Sequence, residues 1–313
     1  MQIPKLGFPA TLAAVTLVLS ATLAPACAET MRLLTNQGER EAIVLPSRQG
    51  PAPTILVLHG ALSTASYTAE NSDFTEVAAA HGFTAVFPQG IRKQWNDGRE
   101  AQAAGVDDVG FLHRLVTSLV GRGLADPRQI YIAGVSNGGM MTFRMLCEAS
   151  ELFAGAATVI ANMPASIGAR CAPRKAVPIV MFNGTADPLV PYDGGGVGFL
   201  GGRGSVWAAE ETAEFMADVN ACTAARAVPL PIGSRFGQVR GQVGGQVGGQ
   251  VWGQVRVTRI DWAFCRSGSP VALYRFDGGG HQVPGQRQFL PFFLGRGTQA
   301  LHAADEAFAF FRR

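Results

Sequence analysis

Apolar residues along this chain follow two rhythms. Short runs that are apolar almost throughout recur at 54–58, 83–87, 130–133, 153–160, 176–182 and 271–276. Such runs, bounded by turn residues, read as strands buried on both faces, as in a parallel sheet. Stretches 41–45 and 255–264 add two further strands. Helical spacing governs the second rhythm, at 72–80, 109–120, 140–149, 206–219 and 300–311. Gly82 supplies a C-cap for the first of these helices. Asp107 and Asp108 stand at the positive end of the second. The last places Leu301, Ala304, Ala307, Phe308 and Phe311 on one face. Strand and helix alternate with no break in composition. The pattern predicts a single α/β domain over 29–313, with a mostly parallel central sheet and helices on both faces.

Two stretches stand outside these rhythms. Residues 1–28 carry Lys5, an apolar run at 11–23 too short to span a bilayer, and Ala26-Cys27-Ala28. They read as a cleavable signal peptide, which predicts a secreted or periplasmic protein. Lipoprotein anchoring at Cys27 is the lesser alternative, because Ala24 stands where a lipobox has leucine. Residues 237–255 repeat Gly-Gln-Val. The period is too short for a solenoid unit, and so much glycine disfavours helix and strand alike, so the tract reads as a flexible surface loop.

Composition narrows the function classes. The chain has 313 residues, 47% of them hydrophobic, and a net charge of +3. Its basic residues are scattered rather than striped, so nucleic acid is not an expected partner. No later segment is apolar enough to suggest stable membrane association. Removing the signal also removes Cys27 and leaves Cys147, Cys171, Cys222 and Cys265. In an oxidising compartment these suggest two disulfides, with three possible connectivities. Cys147–Cys171 and Cys222–Cys265 are favoured because each pair closes a local segment. No C-x-x-C spacing points to zinc or thioredoxin-like chemistry.

Candidate chemistry centres on 131–141. A buried strand runs into Gly134-Val-Ser136-Asn-Gly138, and helix formers follow. This strand–turn–helix setting is what G-x-S-x-G needs to act as a nucleophile elbow. A serine hydroxyl needs a base, and the base needs an orienting group. His59, His81 and His113 precede the serine, and His302 falls on the terminal helix. His281 follows a strand end and three glycines, and is the expected base. Asp187, beyond the 177–182 strand and stiffened by Pro188, is the expected acid. Asp193 is its rival. The oxyanion hole is assigned to the backbone amides of Asn137 and of Ala61, after the 54–58 strand. His59 is expected to be structural and bonded near the elbow. Trp95, Tyr192 and Trp207 are candidates for the pocket wall and equally for ordinary packing.

The segments Val57-Leu-His-Gly60, Val106-Asp-Asp-Val-Gly-Phe-Leu112, 134–141, 183–192 and Gly278-Gly-Gly-His281 occur in this order across most of the mature chain. Together they resemble the esterase/polyhydroxybutyrate depolymerase family. That family includes the feruloyl and acetylxylan esterases of carbohydrate esterase family 1. The resemblance implies an α/β-hydrolase fold, the triad Ser136, Asp187 and His281, the two cysteine pairs, and ester hydrolysis through an acyl-enzyme with no metal or cofactor. It departs at Val283, where similar proteins carry tryptophan, which weakens the case for an aromatic acyl group. Without a polymer-binding domain, attack on crystalline polyester is not expected. An exported serine peptidase on the same fold and a non-catalytic binding protein remain the alternatives.

Overall fold

The computed structural model describes residues 28–99, 105–230, 255–266 and 268–312. The signal peptide expected at 1–28, apart from Ala28, and the Gly-Gln-Val tract, apart from Val255, lie outside these residues. The chain opens with β1 (Glu29–Thr35), β2 (Gly38–Leu45) and β3 (Ala52–Leu58). Then come α1 (Ala65–Asn71), α2 (Phe74–Ala80), β4 (Thr84–Pro88), α3 (Asp108–Gly121), β5 (Ala125–Val135) and α4 (Asn137–Glu148). The second half holds β6 (Gly155–Val159), α5 (Ala165–Gly168), β7 (Ile179–Gly184), the two-residue strands β8 (Gly195–Gly196) and β9 (Ser205–Val206), and α6 (Ala209–Val219). It closes with β10 (Ala224–Leu230), β11 (Arg256–Ala263), β12 (Val271–Asp277), α7 (Pro291–Leu294) and α8 (Ala303–Phe311).

Ten strands form one sheet in the order β1-β2-β4-β3-β5-β6-β7-β12-β11-β10. The middle of it, from β4 across to β12, is parallel. Antiparallel pairs close both sides. This is an α/β-hydrolase sheet, and its central strands explain the apolar runs. In β3, Ile55 and Val57 pack into the core on one face while Leu56 and Leu58 pack into the core on the other. A strand buried on both faces cannot alternate with polar residues. Helices α3, α4 and α6 cover the face of Leu56. Helices α1, α2 and α8 cover the face of Ile55. Phe308 of α8 is fully buried, edge-on to Phe83 with ring centroids 4.8 Å apart. Burying one such ring is worth about 1.5–3 kcal/mol.

The structure departs from the sequence pattern where strands lie at the sheet edges. β1 and β10 were not anticipated. Each is mostly exposed and pairs with a single neighbour, so neither carries an apolar run. The helix expected at 72–80 is the second of two short helices, α2, which begins at Phe74, and α1 before it was not anticipated. Thr64 caps the first by accepting a hydrogen bond from Tyr67 N at 3.1 Å. That helix buries little besides Ala65 and Thr68, which is why no stripe revealed it. On α8 the expected face is buried at Ala304, Ala307 and Phe308, with Leu301 just before the helix. Phe311 is only half-buried, and Ala303 and Phe310 are buried as well.

Two disulfides staple the outer parts. Cys147 at the end of α4 pairs with Cys171 after α5. Cys222 after α6 pairs with Cys265 after β11. Among the described residues no helix is long and apolar enough to cross a membrane.

Candidate active site

The site lies at the carboxyl ends of the parallel strands, where ligands bind in open α/β sheets. β5 ends at Val135 and α4 begins at Asn137, so Ser136 alone makes the turn. Its backbone sits at φ 54° and ψ −120°, a conformation that L residues rarely adopt. Two contacts hold it there. Ser136 N donates to Val159 O at 2.8 Å, and Ser136 O accepts from Met140 N at 2.9 Å. The flanking glycines are required by space. A β-carbon on Gly134 would run into the Gly138 carbonyl, and one on Gly138 into the carbonyls of Leu58 and His59.

His281 comes from the loop after β12. Its own N–H donates to Leu294 O at 2.6 Å, and Gly280 N donates to Arg296 O at 2.8 Å. A side chain on Gly280 would collide with Leu294 and Gly295, so glycine there permits the close approach of the loop after β12 to the end of α7. Asp187 follows β7. Its Oδ1 accepts from the amides of Leu189 and Val190, both at 2.8 Å, which aims Oδ2 at the histidine.

Two distances define the arrangement. His281 Nδ1 lies 2.7 Å from Asp187 Oδ2, and His281 Nε2 lies 3.0 Å from Ser136 Oγ. A carboxylate only accepts, so Nδ1 carries the proton and Nε2 is free to accept from the serine hydroxyl. The side chains of His281 and Asp187 are 9% and 2% exposed, so water competes little for these bonds. Asp193 is exposed, and the imidazole nitrogen it would need is taken by Asp187.

Ala61 and Asn137 both border the cavity in front of Ser136. Among the described residues neither backbone N–H donates to a protein acceptor, so both are available to a ligand oxygen. Asn137 N also sits at the start of α4, where the helix dipole favours negative charge. The cavity measures about 690 Å³. Leu62, Met140, Ile160, Leu189, Val190 and Val283 share its wall with the aromatic Tyr67, Phe199 and Phe289, and Arg99 and Arg203 are its cationic members. Val283 was marked by the family resemblance; the other wall residues leave no motif, so the sequence offered no signal for them.

The three aromatic candidates for the wall are packing residues. Trp95 is fully buried, and its Nε1 donates to His59 O at 2.9 Å. Tyr192 is buried and donates to Glu210 Oε1 at 2.8 Å. Trp207 covers Gly168 and packs edge-on to Phe215. His59 is structural, but it serves the β4 side rather than the elbow. Its Nε2 accepts from Gly90 N at 3.0 Å, which leaves Nδ1 as donor to Gly60 O at 2.8 Å. His302 precedes α8 instead of lying in it, with Nδ1 2.6 Å from Asp73 Oδ2. No cluster of three or more His, Cys, Asp or Glu able to hold a metal occurs among the described residues.

Sheet order, serine turn and the Ser–His–Asp alignment define the molecule as an α/β-hydrolase. Comparison with known proteins narrows the likeness to ester hydrolases. A protein of Nocardia uniformis subsp. tsuyamanensis named as an esterase, NocK, is 34% identical over 145 residues, covering 45% of this chain and 42% of that protein. Feruloyl esterase B of Piromyces equi is 31% identical over 150 residues, covering 46% of this chain and 28% of that protein. The chain thus spans less than half the length of these curated relatives. The prolyl oligopeptidase family model matches residues 92–165, which include the elbow. In fold, the chain resembles the acetyl xylan esterase from Aspergillus awamori with a TM-score of 0.55 at 13% identity, over 82% of this chain and 94% of that one.

Proposed function

We propose that this protein is an exported serine carboxylesterase that works through a covalent acyl-enzyme. The observation that carries the reading is the continuous hydrogen-bonded line from Ser136 Oγ through the His281 ring to Asp187, with 3.0 and 2.7 Å links. Ser136 Oγ attacks the ester carbonyl carbon as its proton passes to His281 Nε2. The amides of Ala61 and Asn137 receive the oxyanion, and Asp187 stabilises the imidazolium. Collapse breaks the bond to the alcohol, which leaves with the proton from Nε2. Water, deprotonated by the same nitrogen, then releases the acid and restores the serine.

Substrate classes follow from the relatives and the cavity. Feruloyl esters, acetylated xylan and hydroxybutyrate oligomers are the candidates, since relatives are named for each. The wall combines aliphatic side chains, Val283 among them, with the rings of Tyr67, Phe199 and Phe289, so it offers apolar contact to aliphatic and aromatic acyl groups alike. Export rests on the leader-like residues 1–28 and on the two disulfides, which persist in oxidising compartments.

A peptidase reading has one observation in its favour, the family match over 92–165. That segment holds the elbow, which esterases and peptidases share, and neither Asp187 nor His281. Hydrolysis of p-nitrophenyl butyrate by the mature protein, beside its Ser136→Ala variant and a peptide p-nitroanilide, separates the readings. The esterase reading expects ester turnover that falls by about 10⁴-fold or more in the variant. Faster cleavage of the anilide than of the ester would overturn it in favour of the peptidase. Absence of both activities, with no labelling of Ser136 by a fluorophosphonate, would leave a binding protein on this fold.

A further inference from the structure

Asn137 enters the proposed reaction through its backbone N–H, yet its side chain is the part most visibly restrained. It is 2% exposed. Its Oδ1 accepts from Trp95 N at 2.8 Å. Its Nδ2 donates to Trp95 O at 3.0 Å and to Asp97 Oδ2 at 2.6 Å. Asp97 is fully buried. A carboxylate in that position is tolerated only if it is paired and hydrogen-bonded. Arg99 supplies the pairing, with Nε 3.1 and 3.0 Å from the two carboxylate oxygens and Nη2 2.7 Å from Oδ2. The far end of the guanidinium is also tied down, since Nη1 donates to Arg203 O at 2.9 Å.

The loop that carries Asp97 is fastened independently. Asn96 N donates to Asp108 Oδ2 at 2.6 Å, and Asp108 pairs with the buried Arg40 at 2.7 Å. Arg144 Nη1, from α4 itself, donates to Asn96 O at 2.7 Å. A buried ion pair is weak evidence for stability, because desolvation offsets most of its attraction. It does fix geometry. An oxyanion donor works best when its direction is set before charge develops, so that nothing must reorganise during the reaction. The peptide in question joins Ser136, at positive φ, to the first residue of α4, and no helical partner restrains that N–H.

We propose that the Asp97–Arg99 ion pair is a positioning unit that holds the Asn137 side chain and thereby aims the Asn137 backbone N–H at the oxyanion. The proposal rests on the serine-esterase reading above. Asp97 and Arg99 are positioning residues and transfer no proton.

The test uses the mature protein with Asp97→Asn, Asn137→Ala, their combination, and Arg99→Lys. Three quantities are read: kcat and KM on p-nitrophenyl butyrate, and the Ki of an alkyl trifluoromethyl ketone, whose serine adduct places an oxyanion in the same hole. Asp97→Asn should lower kcat about 10- to 100-fold, less than the full loss of one donor. The ketone Ki should rise by the same factor, with KM held within about threefold. The double variant should be no slower than the slower single one, because both break one linkage. Arg99→Lys keeps the charge without the planar fork and should fall between wild type and Asp97→Asn. If Asp97→Asn yields no cooperative melting transition, Asn137→Ala and Arg99→Lys carry the same comparison of kcat with Ki.

Unchanged kcat in the folded variants, a fall in kcat with no matching rise in Ki, or multiplicative losses in the double variant would each overturn the proposal. Wild type inert towards both ester and fluorophosphonate would instead defeat the underlying esterase reading.

Discussion

At the scale of single residues, the site uses two histidines for opposite purposes. His281 keeps Nε2 facing a hydroxyl, and His59 spends both nitrogens on backbone groups. Burial pushes the His59 imidazole below its ordinary value of 6.5. Its hydrogen bond to Gly60 and the charge of Asp108 oppose that shift, and Arg40 adds to it. The unfolded chain therefore takes up a proton more readily than the folded one. Stability from neutral His59 is complete above about pH 6.5 and is lost as pH falls through that value towards the folded pKa. Urea denaturation at pH 7, 6 and 5 should show unfolding free energy declining, by up to about 1.4 kcal/mol per pH unit for one proton. A His59→Gln variant should show a flatter profile over the same range. Parallel slopes in the two proteins would exclude His59 as the source.

At the scale of the element, the serine turn is a problem of clearance. β5 and the end of β3 approach α4 so closely that the carbonyls of Gly138, Leu58 and His59 occupy the places of the β-carbons of Gly134 and Gly138. Gly138→Ala and Gly134→Ala should each cost about 1–3 kcal/mol, the range for overpacking a tight interior. Because the strain falls on Ser136 itself, activity should drop further than stability does. Comparison of thermal melts with p-nitrophenyl butyrate turnover checks this. Gly121 offers a contrast, because a β-carbon there meets nothing. Gly121→Ala, in the last turn of α3, should leave turnover as it is and change stability by about 1 kcal/mol or less.

At the scale of the molecule, two staples close segments that the sheet alone does not secure. Cys147–Cys171 spans 24 residues and Cys222–Cys265 spans 43. The second joins the neighbourhoods of β10 and β11, the outermost pair on that side of the sheet. Chain-entropy arguments value each crosslink at about 3–4 kcal/mol. Thermal melting with and without a phosphine reductant should therefore show a Tm lower by several degrees or more after reduction. Loss of Cys222–Cys265 alone, as a double serine variant, should loosen β10 before the core. Faster amide exchange confined to that edge would report it. An unchanged Tm on full reduction would mean the crosslinks add little to an already sufficient core.

How much could be read in advance depended on whether the chemistry was local. The central strands, the serine turn and the histidine after its glycines were legible, because a doubly buried strand needs an unbroken apolar run and a sharp turn needs glycine beside it. Edge strands β1 and β10 were not, because half-exposed pairing to one neighbour leaves little apolar pattern. Asp187 could be ranked above Asp193 only by its place after a strand, and the 2.7 Å approach to His281 came from the folded loops. In the 95–99 segment only Trp95 drew notice, as a candidate for the pocket wall, although its Trp, Asp and Arg line up behind the Asn137 side chain once β5 and α4 are packed. Residue order along the chain sufficed to specify a parallel α/β sheet with a serine at its strand end. Tertiary structure alone brought the Asp187 carboxylate to the imidazole, sent Trp95, Tyr192 and Trp207 into the packing, and tied down the Asn137 side chain. The Asn137–Asp97, His281–Asp187 and His281–Ser136 contacts join residues about 40 to 145 positions apart, and only packing of the whole sheet brings them within hydrogen-bond distance.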